Sequence, residues 1–493
     1  MPFVTGPLPQ RLKLVHGFGA VAFGVKDSGF SFFLLPFYNL VLGVDASTVG
    51  AALAAALVID ALVDPLIGHL SDRTYTKWGR RLPWLYLAPW PLALVWTMLW
   101  SPPFTGTPGF WDIVALAVGV RLLLSACEVP SVSLVPEITD DYDDRTTLFR
   151  YRFLSGWLGG LLMMVLTFTV FLPTPQSQLQ PEGYASYGLF GAALIALSVI
   201  GSAAAQHRIV AQLPERRPPP FSITGAFAEI FDAFREKAFV IFALGGLAAY
   251  VLQGMTFSIT QYVNLYVWQF SELAFQLYPA VLFLSVVLMF VIVGPLHRRW
   301  GKPKSAALGA LVGLAFYCSP YVFYLAGAWP TVGTTASTAL LYGFLVCANT
   351  ASVVAIISAT SMVAEIVEAF EERTGQRAEG TFYAGNWLVQ KCATGGGILL
   401  TSLIVQSIDL APGTPQAEVA PETVRQLVWL FMLAATVLAS IAAFWLARFP
   451  ISREQHEARV AARRGRPAPP APATPDPLDQ AVRADPDAHT ITP

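Results

Sequence analysis

Apolar runs on the order of 20 residues, each long enough to cross a bilayer, recur from His16 almost to Arg448 with short polar stretches between them. They are uniformly apolar instead of alternating, and lipid offers no partner for backbone amides, so they read as helices and not as barrel strands. Hydropathy with Gly and Pro punctuation predicts spans near 14–42, 49–70, 83–101, 109–134, 150–173 and 186–206, then 238–266, 273–295, 304–326, 332–362, 381–407 and 425–447. The fold class expected is an all-α membrane protein of twelve transmembrane helices.

The basic residues support that count independently. Arg73, Lys77, Arg80 and Arg81 share one connection, Arg145 and Arg150 the next but one, and Arg208, Arg216, Arg217, Arg235 and Lys237 the centre of the chain. Arg298, Arg299, Lys302 and Lys304, then Arg373 and Arg377, then the run from Arg448 to Arg466 continue the alternation, and apart from Arg425 the other loops are almost bare. The bias of Lys and Arg toward the cytoplasmic side then makes the span number even and puts both termini in the cytoplasm, in the inner or plasma membrane.

The polar connections also repeat. PEITDDYDDRT, from Pro136, follows the fourth span, and AEIVEAFEERT, from Ala364, follows the tenth. Glu137, Ile138, Arg145 and Thr146 recur as Glu365, Ile366, Arg373 and Thr374. GHLSDRTYTKWGRR from Gly68 is echoed by GPLHRRWGK from Gly294, after spans two and eight. One such loop alone would only solvate helix ends, but the matched register implies a tandem duplication of six helices. Two parallel six-helix repeats about an axis along the membrane normal are the plan of the major facilitator superfamily. The organisation expected is a bundle over 1–206, a linker over 207–236, a second bundle over 237–449 and a Pro-rich, disordered tail over 450–493. Within the linker, PERRPPP stops any helix, and ITGAFAEIFDAFREK reads as a short interfacial helix.

Composition excludes other classes. A mean hydropathy of +0.54 with 33 Phe and 13 Trp in 493 residues is not a soluble chain, and a net charge of -1 gives no basic surface for nucleic acid. Cys127, Cys318, Cys347 and Cys392 stand singly in apolar runs, as small core residues and not as zinc or disulfide pairs. Arg11 and Lys13 read as the cytoplasmic flank of an uncleaved first helix. No set of nucleophile and base or metal ligands marks an enzyme, and no cofactor is implied. A monomer in contact with membrane lipid and a small-molecule solute is the expected state.

Ionisable groups inside spans cost several kcal/mol unless paired or hydrated, so each marks a candidate site. Span one carries Lys26 and Asp27, span two Asp60 and Asp64, span four Arg121 and Glu128, and span eleven Lys391. Four residues apart, Asp60 and Asp64 share one helical face; they repel when both are ionised, and a bound Na⁺ or H⁺ relieves that repulsion. The alternative is permanent neutralisation of Asp60 by Lys26, Arg121 or Lys391. Arg121, Ser125 and Glu128 share a face of span four, where Arg121 and Glu128 also read as a pair held for packing. Asn386 and Trp387, one turn before Lys391, and the stretch QGMTFSITQYVNLYVW from Gln253 are candidate linings of the second-half cavity. Gly395, Gly396 and Gly397 read as close packing, since no strand precedes them.

With those residues placed, the sequence resembles the glycoside-pentoside-hexuronide:cation symporter family, the melibiose permease group. The resemblance rests on GVKDSGF in span one, DALVDPLIGHLSDRTYTKWGRR across span two, EVPSVSLVPEITDDYDDRT after span four and AEIVEAFEERTGQRAEG running on to Lys391. It implies a cation:solute symporter working by alternating access, with Asp60, Asp64 and Ser125 holding the coupling cation, H⁺ or Na⁺. It implies solute contacts at Lys26, Asp27, Glu128, Arg152 and Lys391. Departures are specific. Val63 replaces an Asn between the two acids, Val132 replaces a tryptophan on which a sugar would stack, and Glu128 replaces an Asp. Arg121 has no counterpart and is read as compensating Asp27 or Glu128, or as binding an anionic solute. The family also resembles lysolipid symporters, and a uniporter or exchanger would share the fold. The duplicated polar stretch is expected to act as a cytoplasmic gate in which Asp72, Glu137, Glu365 and their neighbours pair with Arg73, Arg80, Arg145, Arg298 and Arg373 when the cavity faces outward.

Overall fold

Backbone amides in lipid are satisfied within a helix or not at all, and helices dominate the chain. A computed structural model describes residues 3–450 apart from residue 5, residues 213–227, 229–230, 376–377 and 409. Residues 223–227 and 229–230 of the expected linker helix, the tail beyond 450, and Arg216, Arg217 and Arg377 lie outside the described residues, and Ala233–Arg235 near that helix's end forms a 3-10 turn. Ten helices among the described residues are long and apolar enough to cross a membrane. One of them, Glu272–Leu325, contains two arms joined at Gly301, whose φ of 73° interrupts the helical path just before Pro303. The third span is divided at Ala88 into Leu82–Leu87 and Pro89–Trp100, where Pro89 lacks a backbone N–H. Counting both arms and this divided helix is consistent with twelve passages.

The two copies of the polar stretch fold differently. In the first, Thr139–Asp141 leaves the helix, and the Asp141 side chain accepts a hydrogen bond from the Asp144 N–H to cap a new helix starting at Tyr142. In the second, the helix Thr335–Thr374 runs straight through to a left-handed Gly375. The cause is local: Pro136, Thr139 and Asp141 become Ala364, Val367 and Ala369, removing the proline and two side chains, one of them acidic, that accept from backbone N–H groups. Span five therefore begins before the expected 150, and span ten ends well after 362.

Close packing inside the first half depends on absent side chains. A Cβ on Gly24 of span one would lie 1.7 Å from the Gly156 carbonyl oxygen of span five, and one on Gly159 2.8 Å from the Val21 carbonyl oxygen. Gly24→Leu is expected to lower stability by about 1–3 kcal/mol or more through overpacking. Gly343→Leu, where an added Cβ meets nothing within 4 Å, should leave the melting temperature of the detergent-solubilised protein unchanged. Equal melting of the two variants would contradict this packing.

The two halves meet along spans two and eleven, where a Cβ on Gly50 would strike Ser402 and one on Gly395 would approach Ala54 and Leu57. They also meet where spans one and seven end in π-helical turns, Phe37–Val41 and Val263–Val267. Both turns carry the pair Asn-Leu, as Asn39-Leu40 and Asn264-Leu265, a further echo of the duplication. There Tyr262 donates to Asn39 at 2.9 Å, the Gly413 N–H donates to the Leu40 carbonyl at 2.8 Å, and Gln261 donates to Gln178. Phe32 meets Phe257 and Phe168 meets Phe275 at about 5 Å between centroids. These joints lie toward the bare loops, away from the basic connections.

Candidate solute and coupling site

Span two, Ala46–Asp72, brings Asp60 and Asp64 to one face as their spacing requires, and span four lays Arg121 and Ser125 against them. The Arg121 guanidinium donates to Asp60 Oδ2 at 2.9 Å, and Ser125 Oγ lies 3.2 Å from Asp60 Oδ1 and 2.7 Å from Asp64 Oδ1. From the other half, the Lys391 ammonium reaches Asp60 Oδ2 at 2.9 Å and also pairs with Asp64 Oδ2. Asp60 is 4% exposed and Arg121 7%, so both charges are withdrawn from solvent and each requires its partner.

This arrangement corrects one expectation. The acids do not stand uncompensated, because two fixed cations already share them. Arg121 pairs neither with Glu128 nor with Asp27; instead it lies over the Phe30 ring at 4.7 Å and turns its guanidinium to Asp60. The reason is reach, since spans two and four pack side by side and Asp60 faces the turn that carries Arg121 and Ser125. Ser125 joins both acids as the resemblance implies.

A second cluster lies nearby in the same half. Arg152 donates to Ser131 Oγ at 2.6 Å and stands 3.9 Å from Glu128, lining a cavity with Phe23 and Ser202. Lys26 pairs with its neighbour Asp27 and lies 4.3 Å from the centre of the Phe23 ring. Four acids and four bases are thus matched within the membrane region: Asp60 and Asp64 with Arg121 and Lys391, Glu128 with Arg152, and Asp27 with Lys26.

Other candidates are placed differently. Asn386 is buried and accepts from Tyr250 at 3.2 Å, whereas Trp387 is 57% exposed. Gln261, Tyr262, Asn264, Tyr266 and Trp268 are buried in helix junctions. Gln261 and Tyr262 therefore join the two halves, while Tyr266 and Trp268 pack within the second. Sequence reasoning missed His16, fully buried with Nδ1 3.1 Å from Gln206 Oε1. A single histidine near a span start gives no spacing signal. It also missed Arg81, which joins Glu137 at 3.1 Å and pairs with Asp72; its neighbour Arg80 had masked it.

At the basic face, Arg80 pairs with Glu137 at 2.7 Å and with Asp72 at 3.6 Å, and Arg145 with Asp140 at 3.2 Å, all within the first half. Lys302 pairs with Glu365 at 2.9 Å within the second half, and Arg373 pairs with Glu236 at the end of the linker. Arg73 and Arg298 also interact with neighbours. The ion pairs just given close each half on itself, while the joints between halves run from the bare side down to Lys391. Of the residues expected in the gate, Arg80 meets Glu137 and Asp72, whereas Glu365 meets Lys302, Arg145 turns to Asp140 and Arg373 to Glu236.

Comparison with known proteins agrees with this architecture. An uncharacterized symporter of Synechocystis sp. is 27% identical over 90% of this chain and 94% of its own. The isoprimeverose transporter of Lactiplantibacillus pentosus is 30% identical over 32% of this chain and 33% of its own. The inward-facing, unoccupied crystal structure of a bacterial homolog of the human lysosomal transporter Spinster shares the fold, with a TM-score of 0.63 at 15% identity over 90% of this chain and 98% of that one. The family model described as MFS/sugar transport protein matches residues 15–453. With that match spanning both helical halves and the intramembrane charges between them, the chain belongs to the MFS/sugar transport protein family, a group of integral membrane solute transporters within the major facilitator superfamily.

Proposed function

We propose that the protein is a cation:solute symporter that carries a small polar organic solute of the sugar or glycoside class by alternating access. The observation that carries this reading is Lys391, which crosses from the second half to hold both Asp60 and Asp64 of the first. A monovalent cation reaching the acids competes with Lys391, and release of Lys391 loosens the deepest joint between the halves. Solute binding beside Glu128, Arg152 and Lys391 then offers hydroxyl acceptors to the ammonium that the cation released, and by linkage each ligand favours the other equally. The joints at Asn39 with Tyr262 and at Leu40 with Gly413 support assignment of this conformation as closed to the outside and open to the cytoplasm.

The sugar class draws on the family description and on the isoprimeverose transporter. It also draws on the donors and acceptors of Lys26, Asp27, Glu128, Ser131 and Arg152, which suit hydroxyl-rich cargo. A uniporter or exchanger is the second reading, favoured by the Arg121–Asp60 pair, which needs no mobile ion.

A thermal-shift screen of sugars, glycosides and sugar acids, run with and without Na⁺ at two pH values, tests the assignment. Stabilisation by one sugar chemotype that changes with pH or Na⁺ is the expected result. Stabilisation by lysophospholipids with no response to any sugar would contradict the solute class, and solute binding indifferent to both ions would select the uniporter.

A further inference from the structure

Family resemblance places a coupling cation at Asp60, Asp64 and Ser125, yet the oxygens there are already spoken for. Asp60 Oδ2 accepts from Arg121 and from Lys391, each at 2.9 Å, and Asp64 Oδ2 is held by Lys391. Oδ1 of each acid faces the Ser125 hydroxyl, which has one proton to give. Val63, on the turn between the acids, contributes no oxygen. A hard metal ion needs a shell of oxygens with free lone pairs, and a guanidinium beside the same carboxylate repels it.

Arg121 and Lys391 differ in one decisive respect. Lys391 belongs to the second half, so a rigid-body rearrangement of the halves would part it from the acids. Arg121 sits on span four, packed beside span two in the same half, so the same rearrangement would leave its bond to Asp60 in place. Its guanidinium is buried and lies over the Phe30 ring.

We propose that Arg121 is a resident cation standing where an alkali metal ion would bind, so that this protein takes neither Na⁺ nor Li⁺ at Asp60, and that removing the guanidinium creates such a site. The inference rests on reading the cluster as the coupling site. Its test measures ion binding alone, so a failure of transport and a failure of this assignment are told apart.

The experiment is thermal unfolding of the full chain in detergent, in NaCl, LiCl or choline chloride at matched ionic strength. The wild type is expected to melt at the same temperature in all three salts. Arg121→Met should melt lower in choline and regain several degrees, saturably, in NaCl or LiCl. Arg121→Lys, which keeps the charge, should stay indifferent to the salt, and adding Asp60→Asn to Arg121→Met should remove the response. Arg121→Gln, which retains a hydrogen bond to Asp60, serves if the methionine variant fails to fold. Saturable stabilisation of the wild type by Na⁺ or Li⁺, or a folded Arg121→Met or Arg121→Gln protein blind to both ions, would overturn the proposal.

Discussion

Asp64→Asn is expected to abolish accumulation of solute against its gradient while leaving solute exchange across the membrane in place. Asparagine keeps the size of the side chain and an oxygen for the Ser125 hydroxyl, now 2.7 Å from Asp64 Oδ1. It removes the charge that holds the Lys391 ammonium from the other half. Asp60 then carries Lys391 alone together with Arg121, a cluster with surplus positive charge that has no further use for an incoming cation. The halves can still rearrange around bound solute, so exchange persists, but nothing ties that rearrangement to an ion gradient. In proteoliposomes the ratio of internal to external solute should fall to unity in the variant, and counterflow should continue. Concentrative uptake by the Asp64→Asn protein would show that the coupling lies elsewhere.

Lys391→Met should have the larger effect on stability. The two carboxylates would keep only Arg121, which reaches Asp60 and not Asp64, so one carboxylate charge would remain in the membrane interior. Removing one partner of a buried pair costs about 3–5 kcal/mol, a cost softened here by the partial exposure of Asp64. The double variant Lys391→Met, Asp64→Asn removes the stranded charge with its partner and should recover most of the lost stability, with a coupling energy of about 0.5–3 kcal/mol. It should recover none of the concentrative transport, because the cross-half bridge is absent. Melting curves of the four proteins in the cycle measure the first statement, and proteoliposome uptake measures the second. Additive losses would mean that the bridge carries no energy.

The architecture was legible because lipid leaves so few options: apolar length marked the spans, alternation of basic loops marked their parity, and the repeated polar stretches marked the two halves. Element ends were less legible. Thr139–Asp141 and its helical counterpart in the second half have similar charge, and only the proline and the short acidic side chain separate a capped break from a continuous helix. Within the site, the i and i+4 spacing of Asp60 and Asp64 announced their shared face, and the helix delivered it. Their partners were not legible to the same degree, since which of several buried cations meets which acid depends on how helices rotate and abut. For Arg121 the sequence leaves Glu128, Asp27, an anionic solute and Asp60 all open, and only the packing of span four beside span two selects Asp60. Gln261 and Tyr262 have the composition of a cavity lining and instead bond Gln178 and Asn39 of the other half, since hydrogen-bonding side chains serve either purpose in lipid.

On the proposed mechanism, solute and cation cross together because both act on the contact of Lys391 with Asp64. The direct measurement is ion movement upon solute addition to proteoliposomes, with an internal pH dye and, separately, with radioactive Na⁺, using the solute that stabilises the protein in the screen. The wild type is predicted to admit protons with solute, with no accompanying Na⁺, and Asp64→Asn is predicted to admit solute with no ion at all. Solute entry into wild-type vesicles without any ion, or ion entry undiminished in Asp64→Asn, would contradict the account.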